Sequence, residues 1–353
     1  MNKYDSIFHF RMATIADLDA IMKFIHDEWG KNHILAHDNE LFLWQYGRTE
    51  YGDYNNINFV LMLDKNNDTI SGIIGFIAYD AQNQYISPAM TKVSTRVRLP
   101  MTGLEFMKRQ MQIVGEKEHF ASGTNPQTIL PLYEKVFHHR IGIMQQYYIL
   151  NPEIQEISEF KVAQPDKIQL ERIVANSATY LKTEYQLKEI RSFEECTYDL
   201  NEINVLMPVK SCEFMRKRYF NHPIYSYKKW LVRDESQKTV GLLIGREIIQ
   251  NETQLLRLVD YRGDLSYLNK LGSALHNLIK QNRYEYIDFM VSDLSQYHLE
   301  DAGFSLLVPD GTTIIPHYFE PFVQKNIKNY YQNRSDIIIF KADGDQDRPN
   351  VNM

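Results

Sequence analysis

Two apolar runs, residues 57–63 and 70–78, flank Lys65-Asn66-Asn67-Asp68, a stretch whose residues favour a tight reversal. The reading is a β-hairpin, and it constrains everything around it, because a sheet that opens with an antiparallel pair must be extended and covered by the rest of the chain. Before the hairpin, residues 7–12 read as a short alternating strand, Thr14 as an N-cap, and Leu18, Ile21, Met22 and Ile25 as the apolar stripe of a helix. A second helical stretch covers 40–46. After the hairpin the pattern predicts a strand over 89–97, a helix opened by Gly103, a strand over 119–122, a helix over 127–136 and a closing strand over 143–150. A hairpin followed by alternating elements implies a mixed sheet covered by helices, an α/β fold with α+β character.

Asn151-Pro152 interrupts this order. At 353 residues the chain exceeds what one hydrophobic core usually organises. A second series follows, with helices expected over 167–181 and 212–220, strands over 225–232, 239–249 and 253–261, a helix over 265–281, a strand over 286–290 and a helix over 294–302. It repeats the first, so two domains are expected, 1–152 and 153–353, as a weak internal duplication. Hydrophobic residues at 44% against 24% charged describe a globular chain. The net charge of -6, with both signs interspersed, leaves no basic stripe for a phosphate backbone, so no nucleic-acid partner is expected. Cys196 and Cys212 lack the spacing of a zinc or dithiol site and read as reduced packing thiols; no metal is expected. Residues 1–6 do not resemble a signal peptide, and no window of about 18 apolar residues follows, so a cytoplasmic protein without membrane insertion is expected.

Four segments bear on function. Arg98-Leu99-Pro100-Met101-Thr102-Gly103-Leu104 lies at a strand-to-helix junction, where backbone N–H groups and the helix dipole suit a diphosphate. Gly123-Thr124-Asn125-Pro126-Gln127 precedes Leu130-Pro131-Leu132-Tyr133-Glu134-Lys135-Val136. Glu28-Trp29-Gly30-Lys31-Asn32-His33 leads to Trp44-Gln45-Tyr46 and concentrates polar chemistry in a loop. The acidic end, 340–350, has no glutamate at the twelfth place and closes on Arg348-Pro349, unlike a calcium loop. It is either a solvated tail or a docked segment that adds Asp345 and Arg348 to a ligand cleft.

The element order and these segments resemble the GNAT N-acetyltransferase superfamily. Arg98 and Gly103 match its Q/R-x-x-G-x-G/A loop, with Met101 in the place of the first glycine, and 130–136 resembles its LYEKLGF helix, with Phe137 and His138 in place of Gly-Phe. The resemblance implies acetyl-CoA, or another acyl-CoA, as co-substrate, held by Arg98, Met101, Thr102, Gly103, Leu104 and Asn125. It also implies that Tyr133 protonates the departing thiolate, and that His33 or Glu28 takes the proton of an attacking amine. The second half has no such loop at Val259-Asp260-Tyr261-Arg262-Gly263-Asp264, and is expected to be a degenerate GNAT-like domain. The loop at 28–37 and the tail resemble sugar-modifying acyltransferases of bacterial surface-polysaccharide (lipopolysaccharide or capsule) pathways. That likeness implies an amino sugar, nucleotide-linked, as acceptor, bound by Lys31, Asn32, Trp44, Gln45, Tyr46, Arg262, Asp345 and Arg348. Two other readings stay open: an aminoacyl-tRNA-dependent aminoacyltransferase, which the tandem order also resembles, and a non-catalytic module that binds a sugar or a protein. A homodimer also stays open.

Overall fold

A computed structural model of the chain describes residues 2–176, 185–196, 200, 203, 206–294 and 299–350. Strand β1 (Phe8–Thr14) leads into helix α1 (Leu18–Glu28), which buries Leu18, Ile21, Met22, Phe24 and Ile25. Full burial of such side chains stabilises by about 1.5–3 kcal/mol each, enough to fasten the helix to its sheet. Helix α2 (Asn39–Tyr46) starts at Asp38, whose carboxylate accepts the Leu41 N–H at 2.8 Å. Strands β2 (Gly47–Arg48), β3 (Asp53–Asp64), β4 (Ile70–Ala78) and β5 (Tyr85–Val93) follow. Helix α3 (Thr102–Val114) crosses to β6 (Glu118–Ser122), which is parallel to β5, and α4 (Leu130–Lys135) leads to β7 (Arg140–Ile143). Strand β5 starts four residues before the expected 89 and leaves the sheet at Val93, where the turn closed by Val97 N–H on the Ser94 carbonyl begins.

The second series comprises β8 (Gln145–Leu150), α5 (Lys167–Asn176), β9 (Gln186–Ile190), α6 (Cys212–Met215, widening over Arg216–Phe220), β10 (Tyr227–Arg233), β11 (Thr239–Gln250) and β12 (Thr253–Gly263). It continues through α7 (Gly272–Asn282), β13 (Tyr286–Val291), β14 (Ser305–Leu306), the hairpin β15 (Tyr318–Phe319) and β16 (Phe322–Val323), and β17 (Tyr330–Asn333). The helix expected over 265–281 is broken: a tighter turn at Leu265–Lys270, capped by Asp264, precedes α7. The expected helical stretches at 177–181 and 295–298 lie outside the described residues.

The sheets do not divide at residue 152. One has the order β1-β3-β4-β5-β6-β17-β7, with β2 on β3; the other has the order β14-β8-β13-β12-β11-β10-β9. The strand expected over 143–150 is two strands, and its second part, β8, pairs with β13 in the second sheet. Both faces of β8 are buried there, Tyr147 and Ile149 in one core and Tyr148 and Leu150 in another, which explains the apolar run Tyr147–Leu150 after Gln145 and Gln146. In return β17 lies between β6 and β7, antiparallel to both, with the Tyr331 ring over Gly142 where a Cβ would collide at 2.6 Å. Each sheet thus contains a strand from the other half of the chain. Among the described residues no helix is long and apolar enough to cross a membrane, no group of three or more His, Cys, Asp or Glu is placed to hold a metal, and Cys196 and Cys212 form no disulfide.

Candidate functional site

Strands β5 and β6 pair only at Tyr85–Glu118 and Ile86–His119, and then separate. Beside this splay the β4–β5 ladder slips between Ile73 and Gly75, and Met90 takes φ 51°. This is a bulge, which puts an extra residue opposite Ile74 and leaves a backbone amide outside the ladder at the mouth of the gap. Residues 94–101 then lead into α3. Met101, 61% exposed, is its N-cap at φ 62°, the left-handed conformation that a glycine would adopt without strain. The side chain of Met101 makes no cap, and the first helical bond is Glu105 N–H to the Met101 carbonyl. The N–H groups of Thr102, Gly103 and Leu104 therefore stand at the positive end of a 13-residue helix. Thr102 Oγ1 fixes the turn by donating to the Leu99 carbonyl at 2.7 Å, and Arg96 and Arg98 are exposed on the same loop.

Glu28 closes this loop onto α1. Its carboxylate accepts hydrogen bonds from Ser94 Oγ, from the Thr95 N–H at 3.1 Å and from Thr95 Oγ1 at 3.3 Å. Desolvation opposes them, but these bonds hold Glu28 below its ordinary range. Both its oxygens are engaged in a structural staple. Asn125 likewise shapes backbone: its Oδ1 accepts the Gln127 and Thr128 N–H groups at 2.9 and 3.2 Å, at the entry to α4.

Tyr133 on α4 is buried, with ring centroids of His119 and His139 each 5.2 Å away, and burial raises its hydroxyl above the ordinary value, so it is a neutral proton donor. It packs with Val60 and Met62, whereas Tyr46 packs with Phe59 and Leu61. Alternate residues of β3 point to opposite faces, so Tyr133 and Tyr46 lie on opposite sides of the first sheet.

On the Tyr46 side the structure gathers His33, Gln45, Tyr46, Asp345 and Arg348. His33 Nε2 is 3.4 Å from Arg348 Nη2, and Arg348 Nε is 3.5 Å from Asp345. Burial, and then the Arg348 charge, push His33 down to about 4, so it is neutral at pH 7 and a weak base. Tyr46 Oη and both amide atoms of Gln45 are buried without a hydrogen bond of good geometry. Trp44 turns from solvent, donating Nε1–H to the Lys217 carbonyl at 3.1 Å and lying 4.1 Å from the His222 ring. Trp44 and Gln45 line a small cavity with Glu50, Asn58, Lys217 and Arg218. Lys31 and Asn32 are exposed on the loop before His33. Arg262 is not brought to this group: it donates to the carbonyls of Leu200 at 2.8 Å and Lys210 at 3.2 Å, and lines a different cavity.

The tail, 337–350, joins the two sheets. Ala342 N–H donates to Val259 and Ser292 N–H to Ile339, across the gap between β12 and β13. Ser122 Oγ then donates to the Asp343 carbonyl at 3.2 Å, and Gly344 N–H to Tyr79 Oη at 2.7 Å, beside the first splay. Asp347 returns to the second sheet, bound by Arg246 Nη2 at 2.8 Å and Tyr227 Oη at 2.7 Å. Asp343 pairs with Lys210 at 2.9 Å. Sequence reasoning missed Met90, Tyr79, Arg218 and Arg246. A bulge depends on register with another strand, and Tyr79, Arg218 and Arg246 are about 100 to 265 residues from the tail groups they bind. The run Arg216-Lys217-Arg218-Tyr219 was the one local signal of an inward-facing basic cluster.

No family model matches this chain, and no curated protein does. Among solved structures it is similar to a conserved protein of unknown function from Enterococcus faecalis V583, described as a probable N-acyltransferase, with a TM-score of 0.54 and 9% identity over 93% of this chain and 72% of that one. A GCN5-related N-acetyltransferase from Anabaena variabilis ATCC 29413 is similar with a TM-score of 0.51, again at 9% identity and the same coverage of each chain. Identity this low defines fold. The chain has the mixed α/β GNAT fold, built on two sheets.

Proposed function

We propose that the protein is an acyl-CoA-dependent N-acyltransferase. The observation that carries this is the first splay: parallel strands that part after Ile86 and His119, with a bulge at the gap and the uncapped N-terminus of α3 at the end of the same loop. Acyl-CoA would lay its diphosphate on the N–H groups of residues 102–104 and its thioester in the gap, where the bulged backbone polarises the carbonyl. An amine entering from the His33 and Tyr46 side attacks that carbonyl, and the departing thiolate takes the proton of Tyr133 from the opposite face. Held together, the reactants need little beyond orientation. Glu28 is committed to the 94–96 loop and His33 is a weak base, so the amine has to arrive neutral; the proton its nitrogen sheds as the amide forms goes to water, from which the Tyr133 phenolate is reprotonated once it has given its own proton to the thiolate. The acceptor we propose to assay first is a nucleotide-linked amino sugar, as in surface-polysaccharide synthesis; the likeness of residues 28–37 to enzymes of that chemistry supports it. Release of free thiol from acetyl-CoA in the presence of acceptor is the test. Tyr133→Phe should lower kcat by about a hundredfold or more with acceptor KM little changed; an unchanged kcat removes Tyr133 from the mechanism.

A further inference from the structure

The second sheet contains a buried cluster that acyl transfer leaves unused. Arg257 donates to Asp288 through Nε at 3.0 Å and Nη2 at 2.9 Å, and Arg246 donates to Asp347 through Nη2 at 2.8 Å and Nε at 3.2 Å. Gln146 adds a further bond to Asp288 Oδ2 at 2.9 Å, and Tyr227 satisfies the second oxygen of Asp347 at 2.7 Å. Lys341 is 2% exposed and within electrostatic reach of both pairs. Among the described residues it has neither a carboxylate at ion-pair distance nor a hydrogen-bond partner; the Tyr318 ring lies 5.3 Å from its Nζ. Beside it His317, also 2% exposed, has both ring nitrogens buried and unpartnered, with its ring 4.7 Å from that of Tyr318.

Charge is unbalanced here. Lys210, Arg218, Arg246, Arg257 and Lys341 face Asp260, Asp288, Asp343 and Asp347, one carboxylate fewer than the cations. Buried donors without partners are costly, and an unmatched buried charge more so. Water can satisfy the donors but brings no charge. Desolvation, and then Arg257, hold Lys341 down to about 7, so its amine can take up a proton when a counter-anion arrives.

We infer that Lys341 and His317 form a binding site for the carboxylate group of a small ligand, with the Lys341 ammonium as counter-ion and a His317 N–H as second donor. One missing negative charge and two adjacent donors fit a carboxylate better than a phosphate dianion. Tyr318, on the partly exposed β15–β16 hairpin, covers the site and marks its entrance. The tail runs four residues further to Asp345, at the His33 group. The inference does not rest on acyl transfer, because binding is read without turnover.

Saturation-transfer NMR with acetate as the probe, on the full-length chain, tests it. The acetate methyl signal should be present in the unsubstituted protein and in Lys280→Ala, which alters an exposed lysine, and lost in Lys341→Met and in His317→Phe. A signal that survives both of these substitutions, no signal in the unsubstituted protein, or displacement of acetate by lower concentrations of inorganic phosphate would each overturn the inference. Should both variants unfold, the unsubstituted protein decides: its melting temperature should be higher in acetate than in chloride at equal ionic strength, and equal values contradict the site.

Discussion

The two sheets each contain a parallel pair that parts, and the chain treats the two gaps differently. In the second sheet β12 and β13 pair at Leu256–Ile287, Arg257–Asp288 and Leu258–Phe289, after which the chain's own tail fills the opening, bonded to Val259 on one side and Ser292 on the other. In the first sheet the tail also lies along the gap, with Gly344 beside Ser87 of β5, Gln346 against Gly123 and hydrogen bonds to the hydroxyls of Ser122 and Tyr79, but among the described residues no backbone–backbone bond joins it to β5 or β6. The helices that follow differ in the same sense. Neither α3 nor α7 has a side-chain cap of its own, but the strand before α7 runs into a tighter turn capped by the Asp264 carboxylate, which accepts the Ser266 N–H at 2.9 Å and would repel a phosphate. The difference teaches that a splayed pair can serve as a ligand site only where its backbone groups remain unclaimed.

The severest way to break this comparison is to cut the chain at 152. The piece 1–152 lacks β17, which joins β7 to β6, and takes β8 away from the second sheet, so neither piece should unfold cooperatively; a sharp, reversible melt of 1–152 alone would show that the exchanged strands are dispensable.

A gentler blow falls on the tail. Asp347→Ala leaves Arg246 buried without its carboxylate and takes away the negative charge near Arg218, whose own bond is to the Asp347 backbone carbonyl, and should destabilise by about 3–5 kcal/mol in urea unfolding; a loss below about 1 kcal/mol would mean that the tail is not fastened there. Burial alone would raise the Asp347 carboxyl, but Arg246 and Arg218 hold it well below its ordinary range. Its contribution is thus complete above about pH 4 and disappears as pH falls through the folded value, and the variant should lack that acid-dependent component.

The elements that were legible in the sequence are those whose causes are local. The β3–β4 hairpin, the apolar stripe of α1 and the 98–104 loop each announce themselves within a dozen residues. Strand β17 does not: Gln332 and Asn333 are wholly buried yet polar, Gln332 Oε1 against His139 Nδ1 and Asn333 Nδ2 donating to the Ile337 carbonyl, so Tyr330–Asn333 carries no apolar strand pattern. The tail misleads in the same way, since acids and a glycine look solvated until Lys210, Arg218 and Arg246 are placed around them. Arg262 shows the converse error, a cation assigned to a ligand that instead satisfies two backbone carbonyls.

The smallest expected effect sharpens the comparison at the first splay. Met101→Gly removes a side chain from a left-handed position that is exposed, and should stabilise the protein by about 0.5–1 kcal/mol while leaving acetyl-CoA affinity equal or better. A destabilised variant would mean that the Met101 side chain has a packing role.

In the proposed mechanism the first splay takes the acyl donor and the second cannot. Isothermal titration of acetyl-CoA into the full-length chain, with backbone hydrogen exchange on the complex, tests it most directly. The account predicts one site per chain, with slowed exchange over residues 87–104 and none over 259–264; no binding, or slowed exchange at the second gap, would contradict it.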